Sequence, residues 1–214
     1  MEAPEEAIDF AGLDIRWDRR VLRPRPWTAQ QSRWAAELAE DAPDGPILEL
    51  CCGAGHIGLL AAQLTGRDLV QVDRDPVAAS YARRNAERAG ISADVRSAAL
   101  RSALRPDERF GLVIADPPWL PTGTVAQYPD DPVLAVDGGA DGFDMILECL
   151  DTSLRQLLPE GHLLLQVGVP QQAEQVTEWL DGHASGRAVT DVRDCRPGGL
   201  LLHVGPDDSE EGRR

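Results

Sequence analysis

From Pro46 onward, short unbroken apolar runs alternate with stretches whose apolar residues recur every three or four positions. The runs are "PILEL" (46–50), "DLVQVD" (68–73), "ADVRS" (93–97), "FGLVIAD" (110–116) and "GHLLLQVG" (161–168), with two more near 188–193 and 199–204. Runs this short, bounded by turn residues, predict buried strands; the stretches between them predict amphipathic helices. The helices fall at "LLAAQL" (59–64), "PVAASYARRNAERAG" (76–90), "DGFDMILECLDTSLRQLL" (141–158) and "QQAEQVTEWLDGH" (171–183). Pro76 suits the first turn of the second of these, and Gly90 its end. Ahead of Pro46 the pattern differs. Residues 9–22 alternate as a small hairpin, with a turn expected at Asp18-Arg19-Arg20. "RPRPWT" follows, and Thr28 is expected to cap a helix over 29–40 whose inner face carries Trp34, Ala35 and Leu38. Strands alternating with helices predict an α/β fold: a doubly wound, mostly parallel, seven-stranded sheet. The expected organisation is a disordered tail over 1–8, the hairpin and Pro-Arg-Pro segment over 9–28, one domain over 29–205 and a second tail over 206–214.

Charge narrows the partners. The 214 residues hold 21 Lys and Arg against 36 Asp and Glu, a net charge of −15. Phosphate contacts supply most non-specific affinity for nucleic acids, so nucleic acid is the less favoured partner, although the arginines of 16–25 and 83–109 could form a local patch. Cys51, Cys52, Cys149 and Cys195 form no CxxC pair, which argues against both a zinc site and a disulfide framework and for reduced thiols in the cytoplasm. The N-terminus lacks the apolar core of a signal peptide, and no apolar run reaches membrane-spanning length. No metal site is expected.

The chemistry gathers at strand ends. "CCGAGHIG" contains Gly53-x-Gly55-x-x-Gly58 between a strand and a helix, where backbone N–H groups can approach a ligand. Taken alone, that spacing also describes a tight turn. Asp73 ends the next strand, where a carboxylate suits a ribose diol, and Arg74 follows it. A nicotinamide dinucleotide and S-adenosylmethionine both fit this much. Glu49 favours the second, because an acid suits an ammonium and a sulfonium and opposes a pyrophosphate; its plainer role would be to brace the loop. Cys51 stands where glycine is common, with no histidine partner to make it a nucleophile. "LVIADPPWLP" (112–121) then ends a buried strand on Asp116-Pro117-Pro118-Trp119. Proline cannot donate to a ladder, so the strand stops there, and the acid and aromatic suit the wall of a site. A strand end with a core tryptophan is the alternative for this tetrapeptide. The proline-rich stretch 117–141 is long for a connection inside a domain, which points to function.

With "ILELCCGAGHIG", "VQVDRDPVAASYARRNA" and "LVIADPPW" in this order, the chain resembles the class I S-adenosylmethionine-dependent methyltransferases. "DFAGLDIRWDRRVLRPRPWT", "DPVLAVDGGADGFDMILECL" and "LPEGHLLLQVGVPQQAEQV" narrow the resemblance to the release-factor glutamine N5-methyltransferase (HemK) family, over residues 9–205. The resemblance implies a Rossmann-like methyltransferase fold and S-adenosylmethionine as cofactor. It further implies that Thr28, Glu49, Asp73, Arg74, Asp116 and the loop Cys51, Cys52, Gly53, Ala54 and Gly55 hold that cofactor. Asp116, Pro117, Pro118 and Trp119 would then hold the acceptor nitrogen. Four departures stand out: Asp116-Pro-Pro-Trp119 replaces Asn-Pro-Pro-Tyr, Trp27 replaces a Glu, Ala98 or Ala99 stands in place of the acid that would meet the adenine amino group, and the separate N-terminal helical domain of the bacterial enzymes is missing.

The expected activity is N-methylation of a protein side-chain amide of the glutamine type, with a nucleobase or small-molecule amine as the alternative acceptor. Asp116 Oδ and the Pro117 carbonyl would each take one N–H, aiming the nitrogen lone pair at the methyl. Asn would offer a donor to an amide carbonyl; an ionised Asp offers none. A nicotinamide-dependent oxidoreductase and a non-catalytic cofactor-binding partner are the rivals of other classes. Oligomeric state is not legible in the sequence.

Overall fold

The computed structural model describes residues 4–195 and 198–207, and every structural statement concerns these. Nine strands and seven helices occur among them, in the order β1 (Glu6–Phe10), β2 (Leu13–Trp17), α1 (Ala29–Leu38), β3 (Ile47–Leu50), α2 (His56–Thr65), β4 (Leu69–Asp73), α3 (Pro76–Ala89) and β5 (Ala93–Ser97). There follow α4 (Leu100–Ala103), β6 (Phe110–Ala115), α5 (Val133–Val136), α6 (Asp144–Gln156), β7 (Leu157–Val167), α7 (Pro170–His183), β8 (Arg187–Asp194) and β9 (Leu200–Pro206). Seven strands form one sheet in the order β5-β4-β3-β6-β7-β9-β8. All pairings are parallel except β7 with β9 and β9 with β8.

The central strands β3, β4 and β6 are buried on both faces, which is why they read as continuous apolar runs, while the edge strands β5 and β8 are largely exposed. Successive residues point to opposite faces. Ile47, Leu112, Ile114 and Leu164 pack with α1, α2 and α3 on one side. Leu48, Leu50, Val113 and Leu165 pack with α6 and α7 on the other. Leu50 is level with Val72 and Ala115, so the carboxyl ends of β3, β4 and β6 lie side by side. The chain reverses its winding between β3 and β6, and doubly wound sheets bind ligands at that crevice.

Several expectations about the N-terminal region need correction. The hairpin turns at Ala11-Gly12, not at Asp18–Arg20, and pairs Glu6 with Trp17 through to Phe10 with Leu13. Both turn residues have positive φ, 52° and 95°, as a two-residue hairpin loop demands. The strand therefore begins inside the expected tail over 1–8, just as β9 runs to Pro206 inside the expected tail over 206–214; residues 1–3 and 208–214 lie outside the described residues. Asp18 accepts from the Arg20 guanidinium and, at 2.9 Å, from the Tyr81 hydroxyl, while Asn85 takes the Arg16 N–H and donates to the Arg16 and Ala54 carbonyls. These bonds dock the hairpin on α3 and on the glycine loop. Thr28 does not cap α1 through its side chain. It sits in a 3-10 turn, Pro26–Thr28, and its hydroxyl donates back to the Arg25 carbonyl at 2.8 Å. The stretch 117–141 holds a second 3-10 segment, Thr122–Gln127, besides α5.

Candidate active site

One cleft opens over the ends of β3, β4 and β6, and it has two lobes. Arg20, Asp73, Arg74, Ala99, Met145 and Glu148 line the first. The second, with a volume of about 550 Å³, is bounded by Arg25, Trp27, Thr28, His56, Trp119 and Tyr128, among others. Cys51, Gly53, Asp116 and Pro118 face both. The floor is the loop 51–55, where Cys51 (φ 57°) and Gly53 (φ 54°) turn left-handed and Gly55 (φ 83°) opens α2. A left-handed cysteine is uncommon, and it accounts for glycine being the usual residue at that place.

The expected site residues divide into those that line the cleft and those that support it. Asp73 lines the first lobe; its Oδ2 takes the Gly53 N–H and its Oδ1 the Asp75 N–H, both at 2.8 Å. Each oxygen keeps a second lone pair for a ligand. Arg74 lines the same lobe, its guanidinium beside the Met145 sulfur and the Leu134 carbonyl. Cys52 and Ala54 line the second lobe, as do Pro117 and Trp119. Thr28 also faces it, 3.2 Å from His56 Nε2. Because the Thr28 hydroxyl donates to Arg25, it accepts from His56, whose ring is therefore neutral with its proton on Nε2; burial without a countercharge pushes that histidine down to about 3.

Two expected ligand contacts are not lining residues. Glu49 points away from the cleft, under the loop. It accepts from Gln71 Nε2 at 2.5 Å and from the Gly58 N–H, and any side chain at Gly58 would collide with it. The plainer role, bracing the loop, is the one its position supports. Gln71 extends the brace by donating to the Gly55 carbonyl at 2.9 Å. Gly55 likewise lies off the cleft, close against Gln71 and Ala82, where a Cβ would meet atoms at 2.9 and 3.0 Å.

Much of the arginine charge in the stretches 16–25 and 83–109 is engaged within the chain. Arg16, Arg20, Arg25, Arg84, Arg96 and Arg105 all reach carboxylates within 3.2 Å. The Arg25–Asp131 pair, at 2.9 Å, ties the Pro-Arg-Pro segment to the proline-rich loop across the mouth of the second lobe. Among the described residues Asp116 and Asp73 make no such pair, whereas Glu148 meets Arg101 at 3.5 Å. Burial raises Asp116 to about 6 and Glu49 to about 8, and raises Asp73 as well.

Four features escaped the sequence reasoning. Gln31 on α1 is fully buried and donates to Asp116 Oδ2 at 3.0 Å. Glu148 on α6 brings a carboxylate into the first lobe, where only Ala98 and Ala99 had been considered. The Trp119 ring lies directly over Gly168, and the Trp27 ring over Gly198; a Cβ at either glycine would overlap the indole. Finally, the thiols of Cys51 and Cys149 stand 3.7 Å apart. Gln31 and Glu148 carried no signal, because polar residues on amphipathic helices read as solvent-facing.

Comparison with known proteins agrees with this geometry. Residues 32–127 match the methyltransferase small domain. The chain is 34% identical over 169 residues to a release factor glutamine methyltransferase of Geobacter sulfurreducens, covering 76% of this chain and 58% of that protein. It is 29% identical over 168 residues to a ribosomal protein uL3 glutamine methyltransferase of Burkholderia pseudomallei, covering 71% and 54%. The chain thus spans somewhat more than half the length of these relatives. Among solved structures, the ribosomal protein L11 methylase from Lactobacillus delbrueckii subsp. bulgaricus superposes with a TM-score of 0.63 at 14% identity, over 89% of this chain and 83% of that one. That likeness establishes the fold.

Proposed function

We propose, for a chain that carries a class I S-adenosylmethionine-dependent methyltransferase domain and resembles the HemK family, that it methylates the side-chain amide nitrogen of a glutamine in a protein, in the cytoplasm. No helix among the described residues is long and apolar enough to cross a membrane. The observation that carries the reading is the position of Asp116, on the wall common to the two lobes and opposite the glycine loop. One lobe then suits the cofactor and the other the acceptor, with Asp116 where they meet.

The residues fit this cofactor. When bound, S-adenosylmethionine supplies an electrophilic methyl on a cationic sulfur. Asp116 accepts from Gln31 and Asp73 from backbone N–H groups, and neither is hydrogen-bonded by an arginine among the described residues, which favours a cationic ligand over an anionic one such as a pyrophosphate. Asp73 would accept the ribose hydroxyls, and the loop 51–54 would lie along the ligand. Glu148 would accept from the adenine amino group, doing from α6 what an acid after β5 does in the family. Asp116 Oδ1 and the Pro117 carbonyl would take the two N–H groups of the acceptor amide, so that the nitrogen lone pair faces the methyl. The prolines hold that carbonyl with little entropy left to lose. Trp119 and Trp27 would wall the acceptor. As the new N–C bond forms, the methyl's bond to sulfur would break with its electron pair leaving on sulfur as the neutral thioether, and the cationic amide nitrogen would release one proton, which Asp116 is placed to accept.

An exocyclic amine is the second reading, and one observation favours it: Asp116 accepts only, and Gln31 behind it is out of reach of the cleft. Transfer of labelled methyl to proteins of a cell extract, followed by mass spectrometry of the product, tests both. Label on a glutamine side chain supports the first reading. Label on nucleobases or small amines favours the second, and no transfer together with no binding of S-adenosylhomocysteine defeats both.

A further inference from the structure

Behind Asp116 lies a chain of side-chain amides that ends on backbone carbonyls. Gln166, on β7, donates through Nε2 to the Gly198 carbonyl at 2.5 Å and to the Val167 carbonyl at 3.1 Å. Both of its N–H bonds are thereby committed, so its Oε1 must face the other way, toward α1. There it accepts from Gln31 Nε2 at 3.3 Å. The same Nε2 gives its other N–H to Asp116 Oδ2 at 3.0 Å. Gln31 and Gln166 are both fully buried.

The arrangement has a cost that shows what it is for. Among the described residues, Gln31 Oε1 is buried with no hydrogen-bond partner. An unsatisfied buried acceptor costs about 1–3 kcal/mol, and turning the amide over would leave two oxygens against Gln166 Oε1 and the Asp116 carboxylate. The carbonyls of Val167 and Gly198 thus dictate the orientation of Gln166, Gln166 that of Gln31, and Gln31 presents N–H and never oxygen to Asp116.

We propose that Gln31 is a positioning residue: it holds one oxygen of Asp116, keeps the carboxylate ionised, and leaves Oδ1 as the single acceptor turned to the substrate nitrogen. The proposal rests on the methyltransferase reading for its kinetic consequence, not for its structural one. Without Gln31, a carboxylate in this wall would hold its proton into the neutral range, because its surroundings raise it. Glu49 lies behind it on β3 and Cys195 at the end of β8; Cys51 and His56 flank it on the glycine loop and α2, Asp73 stands on β4, and the Arg25 charge is engaged by Asp131. None of these makes a hydrogen bond to Asp116 among the described residues, so Gln31 is the group that favours the charge.

The test is a titration of the Asp116 carboxyl carbon by NMR in the protein without ligands, assigned by its loss in Asp116→Asn. Gln31→Leu should raise the Asp116 midpoint by about one pH unit or more. Gln31→Glu, the near-isosteric change, should replace the single Asp116 midpoint by two coupled steps, one below and one above it, because two adjacent carboxyls share one proton. Should Gln31→Leu fail to fold, Gln31→Glu alone decides. A midpoint that stays with the unaltered protein in the folded variants overturns the proposal. In turnover, the acid limb of the kcat profile should move by the same amount with plateau KM unchanged; an activity loss with an unmoved limb means Gln31 only packs. If the unaltered protein transfers no methyl while its NMR midpoint shifts as stated, the positioning stands and the methyltransferase reading falls.

Discussion

Acids of the cleft and acids of the rim have opposite environments in the same chain. The rim acids stand outside the cleft lining: Asp18 lies under Arg20 and Tyr81, and Glu108 under Arg96 and Arg105, and hydrogen bonds from the arginines hold both carboxyls down at about 2. In the cleft, Asp116 and Asp73 are raised by burial, as is Glu49 beneath the glycine loop, with amides and backbone N–H groups for partners instead of guanidinium. With 36 acids to 21 basic residues, arginines are the limiting resource. Most of those described sit where the chain is tied together, while Asp116 accepts from an amide and Asp73 from backbone N–H groups, although Arg74 lines the same lobe as Asp73. A site left with uncompensated carboxylates in low dielectric is set for a cationic ligand. It is also where folding gains nothing from ionisation: between pH 4 and 6 the folded state binds a proton on Asp116 that the unfolded chain has released, so this group costs stability as pH rises. The rim acids work the other way, adding stability above pH 4 that is lost as pH falls toward 2.

Substitutions can break that contrast from either side. Asp116→Ala should have the largest effect, lowering kcat by about 100-fold or more while calorimetry finds S-adenosylhomocysteine affinity unchanged. Full activity would remove Asp-Pro-Pro-Trp from the mechanism, and retained or higher activity in Asp116→Asn would mark an amide as acceptor. Asp73→Ala should weaken S-adenosylhomocysteine by about 2–3 kcal/mol, since it removes a charged acceptor and frees the Gly53 N–H; unchanged affinity in calorimetry would exclude Asp73 from the ribose. Turnover should fall about tenfold per pH unit below about 6 as Asp116 takes up its proton, whereas the fold, held by the rim acids, should persist by circular dichroism to near pH 4. At the rim, Arg96→Ala should cost about 1–2 kcal/mol, or roughly 2–8 °C in Tm, without altering cofactor affinity. Glu148→Gln should be mildest, weakening S-adenosylhomocysteine about three- to fivefold (~0.6–1 kcal/mol); adenine-free analogues should not sense it.

The sheet was legible because its central strands are buried on both faces and appear as bare apolar runs, and because Gly90 and Pro76 punctuate α3 as their chemistry requires. The cleft was legible as far as strand ends mark it: Asp73 and Asp116 lie where an α/β sheet gathers its ligand contacts. What sequence could not supply was direction. Glu49 precedes the loop by two residues, yet strand alternation turns its side chain under the loop, into the space that Gly58 leaves. The hairpin turn was misplaced because Asp18-Arg19-Arg20 is polar, while Ala11-Gly12 needs left-handed geometry that an alanine does not advertise. Gln31 was missed because its partners, Asp116 and Gln166, lie 85 and 135 residues away.

Gly168 and Gly198 carry no functional group, yet each is the seat of a tryptophan that walls the second lobe. Their consequence is for how this site can vary. A methyl group at either position would overlap an indole and push it toward the acceptor, so the substrate wall is sensitive at places a search for reactive side chains would pass over. In a population of variants, intolerance of alanine at 168 and 198 would trace the outline of the proposed acceptor site in negative, recorded by residues that carry no reactive group.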